Sequence, residues 1–173
     1  MSPGDRAIDA TVGNGHDTLF LARQVGTDGT VFGFDIQQSA LDATRQRLEI
    51  NRIATPVCLF LANHADMSNR IPAERHGHIK AVMFNLGYLP GGDKTLITQA
   101  DNTLEALHAS LNLLSPNGIL SILAYPGHRG GDKETEAIHN WCANLDTTRY
   151  RYRYHDANKH RHDTPRLFLI EFI

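Results

Sequence analysis

Residues 7–22 read AIDATVGNGHDTLFLA, and the rest of the chain is arranged around them. A short apolar run, Ala7 and Ile8, is closed by Asp9. Gly13-Asn14-Gly15 comes next, then apolar residues at helical spacing through Leu19, Phe20 and Ala22. That order reads as a buried strand, a glycine turn and a helix. Glycine stands where the backbone needs a positive φ or must approach a ligand closely. A strand, turn and helix joined in this way offer helix N-terminal amides to a polar ligand.

Asp35 lies twenty residues after Gly15, at the end of a second apolar run, Val31-Phe32-Gly33-Phe34. An acid at that distance, ending the second strand, suits a pair of ribose hydroxyls. The dinucleotide pattern G-x-G-x-x-G is not met, because Thr18 stands at the third glycine position. A pyrophosphate wants that glycine for close helix packing. S-adenosylmethionine (SAM) has a ribose but no phosphate and tolerates a bulkier turn. SAM is therefore preferred to NAD, and an NAD-dependent reductase is the weaker reading.

The 173 residues read as one domain, residues 1–173, long enough for a substantial core. With 41% hydrophobic and 21% charged residues the composition is that of a soluble globular protein. No run is long and apolar enough to span a bilayer, and residues 1–10, MSPGDRAIDA, lack the apolar core of an export signal, so a cytoplasmic location is expected. Cys58 and Cys142 are too few for a disulfide framework and are expected as reduced, buried thiols. A net charge of -2 argues against holding nucleic acid by charge alone but leaves room for a local basic surface. His155, His160 and His162 have no zinc spacing with cysteine partners, so no metal is expected.

In chain order, strands are expected near residues 6–10, 30–35, 57–61, 80–84, 119–124, 150–154 and 166–171. Helices are expected near 17–24, 39–51, 97–114 and 134–145. The third of these is the clearest: Ile97, Ala100, Leu104, Leu107, Leu111 and Leu114 form one apolar face. Residues 63–66, Asn-His-Ala-Asp, read as a polar loop. Alternating strands and helices predict a mostly parallel, seven-stranded α/β sheet with helices on both faces, and the last two strands, lacking a helix between them, an antiparallel edge hairpin. Asp9, Asp35, Asn63, Asn85 and Tyr125 then mark strand ends on one side of the sheet, where ligands bind in such folds.

These stretches resemble the Rossmann-like class I SAM methyltransferases. More narrowly, the chain is similar to the putative rRNA methylase family, which includes bacterial tRNA methyltransferases for the 5-aminomethyl group of (2-thio)uridine at the wobble position. The resemblance rests on DATVGNGHDTLFLA from Asp9, FDIQ from Phe34, FNLGYLPGGDK from Phe84 and YPGHRGG from Tyr125. It covers most of the chain. It also leads one to expect a short helical segment before the first strand, where this chain starts almost at that strand. The resemblance implies a cytosolic SAM-dependent N-methyltransferase acting on tRNA. Rival readings are an rRNA or small-molecule methyltransferase and a non-catalytic SAM-binding module. The residues do not set the oligomeric state, and a homodimer is compatible with them.

Gly13, Asn14 and Gly15 are expected beneath the methionine part of SAM, with the Asn14 amide near its carboxylate or amino group. Asp17 either binds the SAM ammonium or caps the first helix, and it can do both. Asp35 is assigned to the ribose, Gln37 to the ribose or adenine side, and His64 with Asn63 to the adenine edge. Asn85-Leu86-Gly87-Tyr88 is similar to the Asp/Asn-Pro-Pro-Tyr motif of amino-group methyltransferases. In that motif carbonyl groups orient the target nitrogen and the aromatic ring stacks on a flat base. Asn85 and Tyr88 are thus the catalytic candidates, with Leu86 and Gly87 in place of both prolines. An alkyl amine, with a lysine-like pKa of about 10, needs a proton acceptor, for which His128, Asp93 and His64 are open candidates. Lys94 could touch RNA phosphate. In residues 149–154, Arg-Tyr-Arg-Tyr-Arg-Tyr, a strand would turn arginines outward and tyrosines inward. Lys159, His160, Arg161 and His162 would extend that positive surface.

Overall fold

The computed structural model describes residues 1–87, 98–127, 130–156 and 164–173. Tyr88, Asp93, Lys94, His128, Lys159, His160, Arg161 and His162 lie outside the described residues. The elements run β1 (Arg6–Asp9), α1 (His16–Val25), β2 (Thr30–Asp35), α2 (Gln38–Ile50), β3 (Val57–Leu61), α3 (Met67–Arg70), β4 (Ile79–Asn85), α4 (Ala100–Leu113), β5 (Leu114–Ala124), α5 (Gly131–Ala143), β6 (Tyr150–Asp156) and β7 (Arg166–Phe172). One seven-stranded sheet has the order β3-β2-β1-β4-β5-β7-β6. Pairs among β1 to β5 are parallel. β7 runs antiparallel to both β5 and β6, which is the expected edge hairpin.

Strand periodicity divides the core between the two faces of the sheet. On β1, Ala7 packs with Leu21, Ala22 and Val25 of α1 and with Val31 and Ala81 of the neighbouring strands. Ile8 points the other way, into a larger cluster with Phe34, Val82, Leu107 of α4, Ile138 of α5 and Phe168 of β7. Helices therefore cover both faces, as the alternation of elements requires.

Four departures from the sequence reading have local causes. Phe20 is 51% exposed, because α1 buries Thr18, Leu19, Leu21, Ala22 and Val25 and turns Phe20 to the opposite side. Cys58 is exposed, since β3 is an edge strand, whereas Cys142 is buried in α5 as expected and burial pushes its thiol up to about 12. The polar loop at residues 63–66 is a 3-10 turn, capped by the Asn63 side chain accepting from the Ala65 N–H at 2.9 Å, and it runs straight into α3. On β6, Tyr150 is buried but Tyr154 is 39% exposed. Arg151 and Arg153 do face outward, yet both reach Glu171 on β7, at 3.6 and 3.2 Å, so the basic face is partly neutralised. No helix among the described residues is long and apolar enough to cross a membrane.

The turn between β1 and α1 explains its glycines. Gly15 is the N-cap of α1 in the left-handed region, φ 77° and ψ 19°. A Cβ there would sit 2.5 Å from the Thr44 hydroxyl oxygen on α2. Replacing Gly15 with alanine therefore combines left-handed strain with a clash against a packed helix. Gly15→Ala is expected to lower unfolding free energy by about 1–3 kcal/mol, read from the urea midpoint at unchanged m-value.

Candidate active site

Because β1, β2, β4 and β5 are parallel, their carboxyl ends lie on one rim. Along the sheet β2 and β3 lie on one side of β1, and β4 and β5 on the other. The chain leaves these strands in opposite directions, opening a crevice at the β1–β4 boundary.

Residues 10–14 fill the floor of that crevice and are tied to every neighbour. The Ala10 N–H donates to the Met83 carbonyl at 2.8 Å, and Val12 N–H to the Phe34 carbonyl at 3.0 Å. The Thr11 hydroxyl accepts from the Asn85 N–H at 2.7 Å. The Gly13 N–H donates to Asp35 Oδ2 at 2.9 Å. From α2, the Thr44 hydroxyl donates to the Gly13 carbonyl at 3.3 Å and Arg47 Nε to the Asn14 carbonyl at 2.6 Å. Gly13, Asn14, Asp35 and Asn85 are thus brought together on one rim, as the sequence reading requires.

Asp35 is half-buried, and its second oxygen accepts from the Gln37 N–H at 2.9 Å. Each carboxylate oxygen takes one backbone donor and keeps a further acceptor position. Ile36 beside it is 52% exposed, an apolar surface next to the carboxylate. Gln37 opens α2, with its backbone rather than its side chain bonded to Asp35.

Asp17 is half-buried in the first turn of α1, where the N-cap position belongs to Gly15 and no side chain caps the helix. The Asn85 amide Nδ2 donates to Asp17 Oδ2 at 3.4 Å. A carboxylate only accepts, so this contact directs the NH2 side of the amide to Asp17 and leaves the exposed Asn85 carbonyl oxygen as an acceptor. Tyr125, which follows β5, has its phenol pKa raised by burial and then by the charge of Asp17.

His64 is placed otherwise than expected. It is 8% exposed, its Nδ1 lies 3.2 Å from the Ala10 carbonyl, and its ring meets Phe84 edge-on at 5.5 Å. The carbonyl requires Nδ1–H, and the remaining Nε2 is buried with no partner among the described residues. Burial lowers its pKa to about 4. His64 is therefore a neutral floor residue beneath the rim, out of reach as a proton acceptor.

Asp9 carries more than the strand end assigned to it. Its carboxylate is 1% exposed, accepts from the Thr18 hydroxyl at 2.5 Å and from the Thr11 N–H at 3.2 Å, and so fastens β1 to α1. Thr18 occupies the third glycine position and replaces close backbone packing with this bond. Burial, opposed by the Thr18 bond and aided by the charges of Asp17 and Asp35, pushes Asp9 up to about 7. Among the described residues no Lys or Arg pairs with Asp17 or Asp35. Two carboxylates without basic partners at one rim favour a cationic ligand and disfavour a pyrophosphate. A ribose-bearing sulfonium with an ammonium group fits this donor and charge set.

The model of the family described as "Putative rRNA methylase" matches residues 31–171. The chain belongs to that family. Its fold is that of the Rossmann-like class I methyltransferases. It is 39% identical over 153 residues to the chloroplastic tRNA (mnm(5)s(2)U34)-methyltransferase of Arabidopsis thaliana, covering 84% of this chain and 55% of that protein. The chain thus spans about half the length of that relative. The crystal structure of a putative rRNA methylase from Clostridium thermocellum superposes with a TM-score of 0.94 at 37% identity, over 100% of this chain and 91% of that one. A putative methyltransferase from Streptococcus mutans, solved in complex with SAH, gives 0.87 at 34% identity, again over 100% and 91%.

Asp9 generates a pH prediction. Its folded pKa, about 7, lies above the ordinary 3.8, so its contribution to stability is full below 3.8 and is lost as pH rises through 7. Burial of neutral His64 acts oppositely: its contribution is full above 6.5 and lost as pH falls toward 4. Asp9→Asn, which mimics the neutral acid and keeps His64 as it is, is expected to gain stability on wild type progressively between about pH 4 and about pH 7. Urea unfolding of both proteins across that range checks it, and a constant difference would refute it.

Proposed function

We propose that this domain is a SAM-dependent N-methyltransferase whose substrate is the 5-aminomethyl group of (2-thio)uridine at the tRNA wobble position. The observation that carries the reading is the exposed Asn85 at the switch-point rim, its backbone N–H held by the Thr11 hydroxyl and its carboxamide by Asp17, on the same rim as Asp35. The Arabidopsis relative's name, a methyltransferase for mnm(5)s(2)U34, supports the choice of base. The SAH in the Streptococcus mutans structure supports the choice of donor.

Bound SAM supplies an already activated methyl on a sulfonium, with a neutral thioether as leaving group. Asp35 would hold the ribose hydroxyls, and the exposed Ile36 would face the adenine with Gln37 at its edge. Gly13, Asn14 and Gly15 would run beneath the methionine part, and Asp17 would meet its ammonium. His64 supports the floor of the site from below. Asn85 would accept a hydrogen bond from the target nitrogen and aim its lone pair in line with the methyl, which is catalysis by orientation. Tyr88, in the closing position of the motif, would supply the flat ring for the base.

The amine must give its proton to solvent before transfer, because only its neutral form carries the lone pair that attacks the methyl.

Asn85→Ala is expected to reduce methyl transfer by about a hundredfold or more while SAM affinity changes less than about threefold. Labelled SAM and tRNA bearing aminomethyluridine measure the first, and calorimetry with SAM the second. Collapse of SAM binding would overturn this division of roles. Label found only in rRNA or a small amine would overturn the substrate.

A further inference from the structure

Glu134 lies in the first turn of α5, away from the residues discussed so far, and it is 3% exposed. A carboxylate taken out of water at that cost must be held by donors. Both of its oxygens are: Oε1 accepts from the Thr103 hydroxyl at 2.6 Å and Oε2 from the Thr98 hydroxyl at 2.8 Å. Thr98 in turn grips Gly87. Its hydroxyl oxygen accepts from the Gly87 N–H at 3.0 Å, and its own N–H donates to the Gly87 carbonyl at 3.0 Å.

The direction of these bonds is forced. A carboxylate has no proton to give, so the single Thr98 hydroxyl proton goes to Glu134. That leaves the hydroxyl lone pairs for Gly87. Three successive amides of the acceptor motif are then fixed from three sides: Asn85 by the Thr11 hydroxyl at 2.7 Å, Leu86 by the Leu123 carbonyl at 2.8 Å, and Gly87 by Thr98. Gly87 has φ 139°, a conformation that residues with side chains rarely adopt and that no proline ring could hold.

We propose that Glu134 is a positioning residue for methyl transfer: through Thr98 it locks the backbone at Gly87 and so keeps the Asn85 amide aimed at the target nitrogen. At Gly87 it supplies the stiffness that a proline ring supplies in the motif that this stretch resembles. The inference rests on the function proposed above.

The experiment compares wild type with Glu134→Ala, Glu134→Gln and Thr98→Val. Turnover is measured on tRNA bearing aminomethyluridine, SAM affinity by calorimetry, and amide exchange at Gly87 by NMR. Glu134→Ala is expected to lower kcat about ten- to a hundredfold, with SAM affinity within about threefold. Glu134→Gln, which keeps an acceptor oxygen, recovers most of that loss. The Thr98→Val, Glu134→Ala double variant is no slower than the worse single one, because both break the same path. Gly87 exchanges about tenfold faster in Glu134→Ala while β1 amides keep their protection. A merely structural role would instead lower SAM affinity and kcat together, with Gln no better than Ala, and that result overturns the proposal. Unchanged kcat with unchanged Gly87 exchange does so too. If Glu134→Ala fails to fold, Thr98→Val alone carries the same two readouts. If wild type does not methylate this tRNA, the function above fails, and Gly87 exchange still decides whether Glu134 locks the motif.

Discussion

Two hydrogen bonds set the geometry on which the site depends: Gly13 N–H to the Asp35 carboxylate at 2.9 Å and Asn85 N–H to the Thr11 hydroxyl at 2.7 Å. They leave the same short turn in opposite directions along the sheet, one to the end of β2 and one to the end of β4. Strand ends in a twisted parallel sheet splay apart, and these bonds hold the two that matter at a fixed separation. The turn can do so because α2 braces it through Thr44 and Arg47. Its glycines follow from that close approach, since a Cβ at Gly15 would strike Thr44.

Charge is arranged around the same turn. Asp17 and Asp35 keep the rim anionic, while Asp9, buried beneath them, is pushed toward its neutral form by burial and by its two neighbours. A third full charge would cost stability without reaching a ligand. The sheet therefore places one carboxylate where it ties β1 to α1 and two where they meet the crevice. A sulfonium amino acid is attracted to such a rim and a pyrophosphate is repelled, which agrees with Thr18 standing where a dinucleotide fold has its third glycine.

The sheet was legible because each strand and helix repeats its own hydrophobic period, and because parallel connections must put Asp35 and Asn85 on one rim. Single side chains were harder. Phe20 matched the apolar pattern, yet α1 needs only one face for the core and turns Phe20 outward. His64 read as a loop residue, yet the loop is a 3-10 turn that drops its ring against Phe84. Glu134 stands in a helix's first turn, where the helix dipole favours any carboxylate. Nothing local marks it, because its partners Thr98 and Thr103 lie more than thirty residues earlier. Long-range polar contacts leave no period in the sequence, and the site's supports are built from them.

Leu86 and Gly87 show how the two halves of the molecule divide the work. Prolines would stiffen this stretch from within, at any position of the surrounding elements. Here stiffness comes from outside: β1's turn holds Asn85, β5 holds Leu86, and the residues leading into α4 hold Gly87 through Thr98, backed by Glu134 of α5. The aim of the Asn85 amide is thus a property of how β4 packs among its neighbours. In the proposed function the half of the sheet from β1 to β3 serves the methyl donor and the half from β4 onward the acceptor, and residues 11–13 fasten the two together.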